Sequence, residues 1–274
     1  MLGIDITGLA KGNYSATVAV TAPGATNSPT TITVNLTVQA PTITLTPSSI
    51  PLSVVRTQAS PGNQTVAVGN TGDSTLNYTT SVTSGGSWLS VFSGGSNAVA
   101  PAGSANLVLA FNTTALAKGV YVGTVNVIDA NATNTPQTVT VTLTVTAPII
   151  TRAPAALTFT AKRTQNPVPN TQTITLQNTG DATMDWSAAA SMSNGAGWLA
   201  VSPVSGTLGA GGSTSLTVTI TSSALASGSY NGSITITAPT ATNSPQVTSV
   251  ALTVNPAPTI SIGAGATSFT GARF

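Results

Sequence analysis

The sequence contains no cysteine and no histidine, and only 4% of its 274 residues are charged. Its acidic residues are all aspartates, so glutamate is absent as well. These absences exclude disulfides, thiol nucleophiles, histidine acid–base catalysis and zinc sites built from thiolate or imidazole ligands. No run of 18 or more apolar residues occurs and the first residues show no signal-peptide pattern, so we expect no membrane insertion.

The charges that remain are too sparse for nucleic-acid binding or carboxylate chemistry. Seven basic and five acidic residues give a net charge of +2, whereas nucleic acid requires a continuous basic stripe. The aspartates form neither the close pair that glycoside hydrolysis needs nor a cluster that could hold calcium. We therefore predict no catalytic, cofactor-binding or metal-binding residues, no nucleic-acid partner, and a protein that is not an enzyme.

An internal repeat of about 108 residues is the strongest signal in the chain. The segment LAKGNYSATV, which begins at Leu9, has counterparts that begin at Leu116 and Leu225. The turn sequence Asn-Thr-Gly-Asp occurs at Asn70 and again at Asn178, 108 residues later, and we expect its aspartates, Asp73 and Asp181, to stabilise the turn. Several independent landmarks share one spacing, so the chain is built from tandem copies of one module.

Each copy consists of short segments in which apolar and polar residues alternate between glycine- and proline-rich turns. In TTITVNLTV, period-two alternation places Ile32, Val34, Leu36 and Val38 on one face and the polar residues on the other. No segment shows a helical period. About seven such strands per repeat predict an immunoglobulin-like sandwich. The predicted fold class is all-β, with tandem immunoglobulin-like β-sandwiches and a partial domain at each end.

A family resemblance is carried by GWLAVSPVSGTLGAGGSTSLTVTI (residues 197–220), by NTGDATMDW before it and by SGSYNGSITIT after it. These segments resemble the BACON-type and related bacterial immunoglobulin-like repeats, and residues 87–111 form a weaker copy that keeps the Trp-Leu pair. Members of such families occur as arrays in bacterial surface and secreted proteins, sometimes beside carbohydrate-active domains. The resemblance implies an extracellular or bacterial cell-surface location and a binding or spacer role.

The ends of the sequence fall within repeats. Residues 1–40 correspond to the C-terminal part of a repeat, residues 41–147 and 148–257 to complete repeats, and residues 258–274 to the first strand of another. Pro258 aligns with Pro41 and Pro148, and Phe269 aligns with Leu52 and Phe159.

Two interpretations of this division remain open. In the first, the C-terminal strand of one copy adds to the N-terminal partial domain of the next and forms a filament. In the second, the sequence is an excerpt from a longer stalk or adhesin array. The two ends together would lack the equivalent of residues 165–216, which favours the excerpt.

In either case we expect the terminal segments to pair with other copies of the chain or with adjacent repeats. The candidate residues for this pairing are Ile4, Ile6, Ile32, Val34, Leu36, Val38, Ile260, Ile262, Phe269 and Phe274.

Carbohydrate binding by a module array is the alternative function, and it normally requires exposed aromatic rings. Here Trp88 recurs as Trp198 and Tyr78 recurs as Trp186, which is typical of core positions. Phe92 has no aromatic counterpart and is the candidate surface contact. The repeated tyrosine that follows Lys-Gly or Ser-Gly in each copy is expected to form a tyrosine-corner hydrogen bond.

Overall fold

A computed structural model describes residues 3–260 and Gly265, and the secondary-structure elements in this part of the chain are all β-strands. The chain divides into two compact units, residues 1–146 and 147–274. Among the described residues there is no helix long and apolar enough to cross a membrane. The candidate residues Ile262, Phe269 and Phe274 lie outside the described residues.

The first unit begins with a two-stranded antiparallel hairpin. Its strands are β1 (Gly12–Val20) and β2 (Thr30–Val38). Tyr14 lies opposite Leu36, and Val18 lies opposite Ile32.

The rest of the first unit is a sandwich of nine strands in two sheets. The four-stranded sheet has the order β3-β5-β9-β7 and the five-stranded sheet has the order β4-β11-β10-β6-β8. The strands are β3 (Ile43–Thr46), β4 (Ser49–Val55), β5 (Gln64–Asn70), β6 (Leu76–Ser84), β7 (Leu89–Ser93), β8 (Ser96–Val99), β9 (Ser104–Phe111), β10 (Gly119–Ile128) and β11 (Gln137–Thr146).

The second unit contains a sandwich of the same topology. Its sheets have the orders β12-β14-β18-β16 and β13-β20-β19-β15-β17. The strands are β12 (Ile150–Ala153), β13 (Ala156–Lys162), β14 (Thr171–Asn178), β15 (Met184–Met192), β16 (Leu199–Ser202), β17 (Ser205–Leu208), β18 (Ser213–Ile220), β19 (Gly228–Thr237) and β20 (Gln246–Asn255).

The prediction of an all-β chain with tandem immunoglobulin-like sandwiches is confirmed, although each sandwich has nine strands rather than about seven. The difference arises where a segment changes sheets. The opening segment of the first sandwich is divided at Pro47, so that β3 joins the four-stranded sheet and β4 joins the five-stranded one.

The recurring aromatic residues lie in the two cores. Trp88 and Tyr78 are buried in the first sandwich, and Trp198 and Trp186 are buried at the corresponding positions of the second. The ring of Trp198 meets that of Tyr230 edge to face, with centroids 6.3 Å apart. This arrangement lies within the range that stabilises aromatic pairs beyond their buried area.

The hairpin has the alternation of its equivalents but lacks their burial. Four residues of β11 face the core of the first sandwich and are at most 1% exposed: Val139, Val141, Leu143 and Val145. At the equivalent positions of β2, Ile32 is 49% exposed, and Val34, Leu36 and Val38 are only half-buried. The difference arises because no second sheet packs on the hairpin among the described residues.

Candidate functional site

Among residues 3–260, no strand flanks either edge of the hairpin, whereas its equivalent in the first sandwich has a strand on both sides. There, β11 pairs in parallel with β4, with Leu143 opposite Leu52. On the other side, β10 pairs antiparallel with β6, with Val125 opposite Val82. Within the described part of the chain, β1 and β2 pair only with each other. Each outer edge therefore presents the backbone groups that a further strand would bind.

The apolar face of the hairpin forms an open cavity of about 370 Å³. Ile4 of the preceding segment borders it, yet Ile4 and Ile6 are each 57% exposed, so this segment does not seal the face. Both residues were predicted as pairing positions. The other lining residues are Gly3, Tyr14, Ser15, Ala16, Val18, Val34 and Leu36.

In each sandwich, the loop at the tip of the hairpin equivalent to β1–β2 carries an asparagine that hydrogen-bonds a strand of the other sheet. In the first sandwich, Asn134 Oδ1 accepts a hydrogen bond from Ile43 N at 2.9 Å, and Asn134 Nδ2 donates to Ile43 O at 2.8 Å. Asn243 makes the same pair of bonds with Ile150, each at 2.9 Å. A side-chain amide thus replaces a neighbouring strand for one residue.

Asn27 occupies the same position in the β1–β2 hairpin, but no strand lies beside it among the described residues. Its loop nevertheless has the local structure of its counterparts, because Ser28 Oγ accepts a hydrogen bond from Ala22 N at 2.9 Å, as Ser244 does from Ala238. Sequence reasoning missed Asn27, although the recurring Ala-Thr-Asn-Ser/Thr-Pro motif carried the signal.

The Asn-Thr-Gly-Asp turn binds the segment that leads into each sandwich. Asp73 Oδ1 accepts a hydrogen bond from Ala40 N at 3.0 Å, and its carboxylate lies 3.1 Å from Lys11 Nζ. Asn70 is buried, and its Oδ1 accepts bonds from the backbone N–H groups of Thr42 and Gly72. The turn was predicted as local stabilisation, but it also connects parts of the chain about 30 residues apart.

The turn of the second sandwich repeats this arrangement. Asp181 Oδ1 accepts a hydrogen bond from Ala147 N at 2.9 Å. Asn178 is fully buried and bonds the backbone on both sides of the turn. Glycine is required at the third position of the turn, because a Cβ on Gly180 would overlap the carbonyl oxygen of Ala147. The junction, meaning the attachment of this turn to the segment that leads into the sandwich, therefore recurs in both sandwiches.

Acid is expected to weaken the attachment of the hairpin through Asp73. The Ala40 N–H and then Lys11 hold the pKa of this carboxyl below its ordinary value of 3.8. A group whose pKa is lower in the folded state stabilises that state above the ordinary value, and the contribution is lost as pH falls through the lowered pKa. Urea denaturation at pH 7 and below pH 3 should therefore show a smaller loss of stability for Asp73→Asn than for the unaltered chain.

Asp185→Asn is the matched control for this prediction. Asp185 is also exposed and accepts one hydrogen bond, from Thr207 Oγ1 at 2.6 Å, but it does not bind the junction. At pH 7 this substitution should therefore leave the attachment of the hairpin unchanged. An equal loss of stability on acidification in Asp73→Asn and in the unaltered chain would contradict the role assigned to Asp73.

The predicted tyrosine corners are present in all three copies. Tyr14, Tyr121 and Tyr230 each donate their phenolic O–H to the backbone carbonyl four residues earlier, at 2.9, 2.9 and 3.0 Å respectively. Their hydroxyls therefore have a structural partner in every hairpin.

Other polar candidates also have structural partners. Asp129 is buried and accepts bonds from the backbone N–H groups of Asn77 and Asn131. No group of three or more metal-ligating side chains lies among residues 3–260. Phe92, the candidate surface contact, is 70% exposed on β7. Within the described part of the chain, the candidate sites are therefore the hairpin, with its open strand edges and half-exposed apolar face, and the isolated exposed ring of Phe92.

The model of the viral BACON domain family matches residues 42–146 and 150–250. The chain belongs to this family. Each match covers one of the two sandwiches. A search of curated proteins returned no match.

Solved structures resemble the BACON chain only distantly. A protein of unknown function from Porphyromonas gingivalis is 14% identical, with 77% of this chain and 99% of that one covered, at a TM-score of 0.32. The adhesin InvE of Yersinia pseudotuberculosis is 14% identical, with 78% and 59% covered, at 0.29. The Escherichia coli chaperone DraB is 15% identical, with 39% and 54% covered, at 0.30.

Proposed function

We propose that this BACON-repeat chain is a non-catalytic structural protein exposed on the outside of a cell or virus particle. In this role it is a filament subunit or a spacer in a stalk or adhesin. Its N-terminal hairpin is completed by strands of another BACON-type repeat. The observation that carries the proposal is the hairpin itself, which has open edges and a half-exposed apolar face where its two equivalents are buried.

The apolar face provides the driving force for this completion. Burying one valine, leucine or isoleucine side chain completely contributes about 1.5–3 kcal/mol, and the hairpin presents several such side chains that are half-buried or exposed. A strand added along either edge also satisfies backbone groups that face solvent. With a net charge of +2 on the whole chain, repulsion between copies is weak.

Tandem modules suit a spacer because each added copy extends the chain without new folding information. An external location is supported by the family resemblance. The threonine-rich faces keep the strands hydrated with few charges. Carbohydrate binding has less support. The recurring tryptophans are buried, and among the described aromatic rings only Phe92, at 70%, is strongly exposed, whereas Tyr14 is 37% exposed.

Sedimentation of the full chain over a wide concentration range, with electron microscopy of the same samples, tests the proposal. We expect concentration-dependent self-association and elongated particles. Leu36→Ala should weaken the association, whereas Thr37→Ala, on the opposite face of the same strand, should leave it unchanged. A chain that stays monomeric at all concentrations would contradict self-assembly, and glycan binding by that monomer would favour the carbohydrate alternative.

A further inference from the structure

The sequence of residues 258–272 matches the segment that completes the hairpin in both sandwiches. PTISIGAGATSFTGA aligns without gaps with PTITLTPSSIPLSVV at residues 41–55 and shares its opening Pro-Thr-Ile, and Phe269 aligns with Leu52 and with Phe159. In the two sandwiches these segments form β3 with β4 and β12 with β13. The alignment therefore identifies a segment of this chain that occupies the same place in the repeat as the strands that flank the hairpin's equivalents.

Three contacts hold this segment on the hairpin in both sandwiches. The first is a backbone bond from the loop to a proline carbonyl, from Thr133 N to Pro41 O at 3.0 Å and from Thr242 N to Pro148 O at 3.2 Å. The second is the asparagine pair described above. The third is a parallel strand in fixed register.

The register is the same in both cases. Leu52 of β4 lies opposite Leu143 of β11, and Phe159 of β13 lies opposite Leu252 of β20. Leu36 is the equivalent of these two leucines in β2. The two sandwiches therefore predict, residue for residue, where an added segment would sit on the hairpin.

We propose that residues 258–272 of a second copy of this chain bind the β1–β2 hairpin through the same three contacts. In this complex Thr26 N–H donates to the Pro258 carbonyl, the Asn27 amide pairs with the backbone of Ile260, and Phe269 lies opposite Leu36. The inference rests on the proposed function and names its partner. Because a C-terminal segment binds an N-terminal hairpin, the contact is head-to-tail and propagates unless it closes on itself.

The acceptor surface is already formed and accessible. Tyr14 lies opposite Leu36 just as Tyr121 lies opposite Leu143, so the hairpin has the register of its covered equivalents. Thr26 and Asn27 are exposed. On the donor side, Ile260 is 92% exposed. Little reorganisation is therefore required of the hairpin, which favours association.

Cysteine trapping between separately prepared chains tests the register, since the natural sequence has no cysteine. Leu36→Cys chains are mixed with Phe269→Cys chains under mild oxidation. We expect a cross-linked dimer, and little product when Thr37→Cys, on the opposite face of β2, replaces Leu36→Cys. Equal trapping at both positions, or a cross-link that forms only within a doubly substituted chain, would overturn the proposal.

The asparagine contact has its own test, by sedimentation of full-length variants. Asn27→Ala should weaken self-association about tenfold, because two hydrogen bonds are lost at the contact. Asn13→Ala is the matched control, since Asn13 is exposed on the same hairpin and bonds only Thr37 Oγ1 across the strands.

The two proposals fail in different ways. If the chain associates but Leu36 and Phe269 are not trapped together and Asn27→Ala has no effect, this inference is wrong and the structural role stands. If the chain never associates, both self-assembly and the named contact are wrong.

Discussion

Replacing Asn178 with alanine is expected to lower the free energy of unfolding of the second sandwich by about 3–4 kcal/mol. Asn178 Nδ2 donates to the carbonyls of Ala182 and Leu208 at 2.8 and 3.2 Å, and Oδ1 accepts from the N–H groups of Gly180 and Ile149 at 3.0 and 3.3 Å. Alanine would remove the partner of all four backbone groups, of which the two carbonyls make buried hydrogen bonds and the two N–H groups make partly buried ones. An unsatisfied buried polar group costs about 1–3 kcal/mol.

Asn231→Ala is the control for this change, because Asn231 lies on β19 with its side chain exposed. It should alter stability by less than about 0.5 kcal/mol. Chemical denaturation monitored by hydrogen exchange is the suitable measurement, since separate peptides report the two sandwiches of a chain that need not unfold in one step. If Asn178→Ala lowers the free energy of unfolding by less than about 1 kcal/mol, the hydrogen bonds of the Asn178 side chain do not stabilise the turn as proposed.

Leu143→Ala and Leu36→Ala are expected to differ sharply in their effect on the stability of the isolated chain. Leu143 is fully buried between two sheets, so its truncation should cost about 2–5 kcal/mol through lost burial and the cavity left behind. Leu36 occupies the equivalent position on the hairpin but is only half-buried. Its truncation removes little packing in a single chain and should cost less than about 1 kcal/mol.

Denaturant titration at low protein concentration, where copies are separate, measures both costs. At high concentration the cost of Leu36→Ala should rise, because association stabilises the form that binds a partner. If Leu36→Ala is as damaging as Leu143→Ala in the dilute chain, the hairpin face is already covered and the proposed completion is wrong. Comparing the stability costs of the two substitutions therefore shows how far burial of the hairpin's apolar face depends on a partner.

Much of this protein follows from local pattern. Period-two alternation predicted which side of β2 is apolar and which is polar, and the side chains of Leu36 and Thr37 follow that prediction. The 108-residue spacing predicted which positions are equivalent, and the burial of Trp88 with Trp198 agrees with it. Turn chemistry at Asn70 and Asn178 was also visible, but it predicted a local role and not the bonds that reach the entering strand.

Only the tertiary structure decided which apolar faces are covered. Alternation is a property of neighbouring residues, and it is the same in β2 as in β11, although one is half-exposed and the other is buried. Whether an apolar face is covered depends on contacts between residues distant in sequence. Ile43 and Asn134, which form a hydrogen bond, are 91 residues apart. The sequence by itself therefore determined the module and its inward face, whereas long-range packing decided that this face is covered in the two sandwiches and half-exposed in the described hairpin.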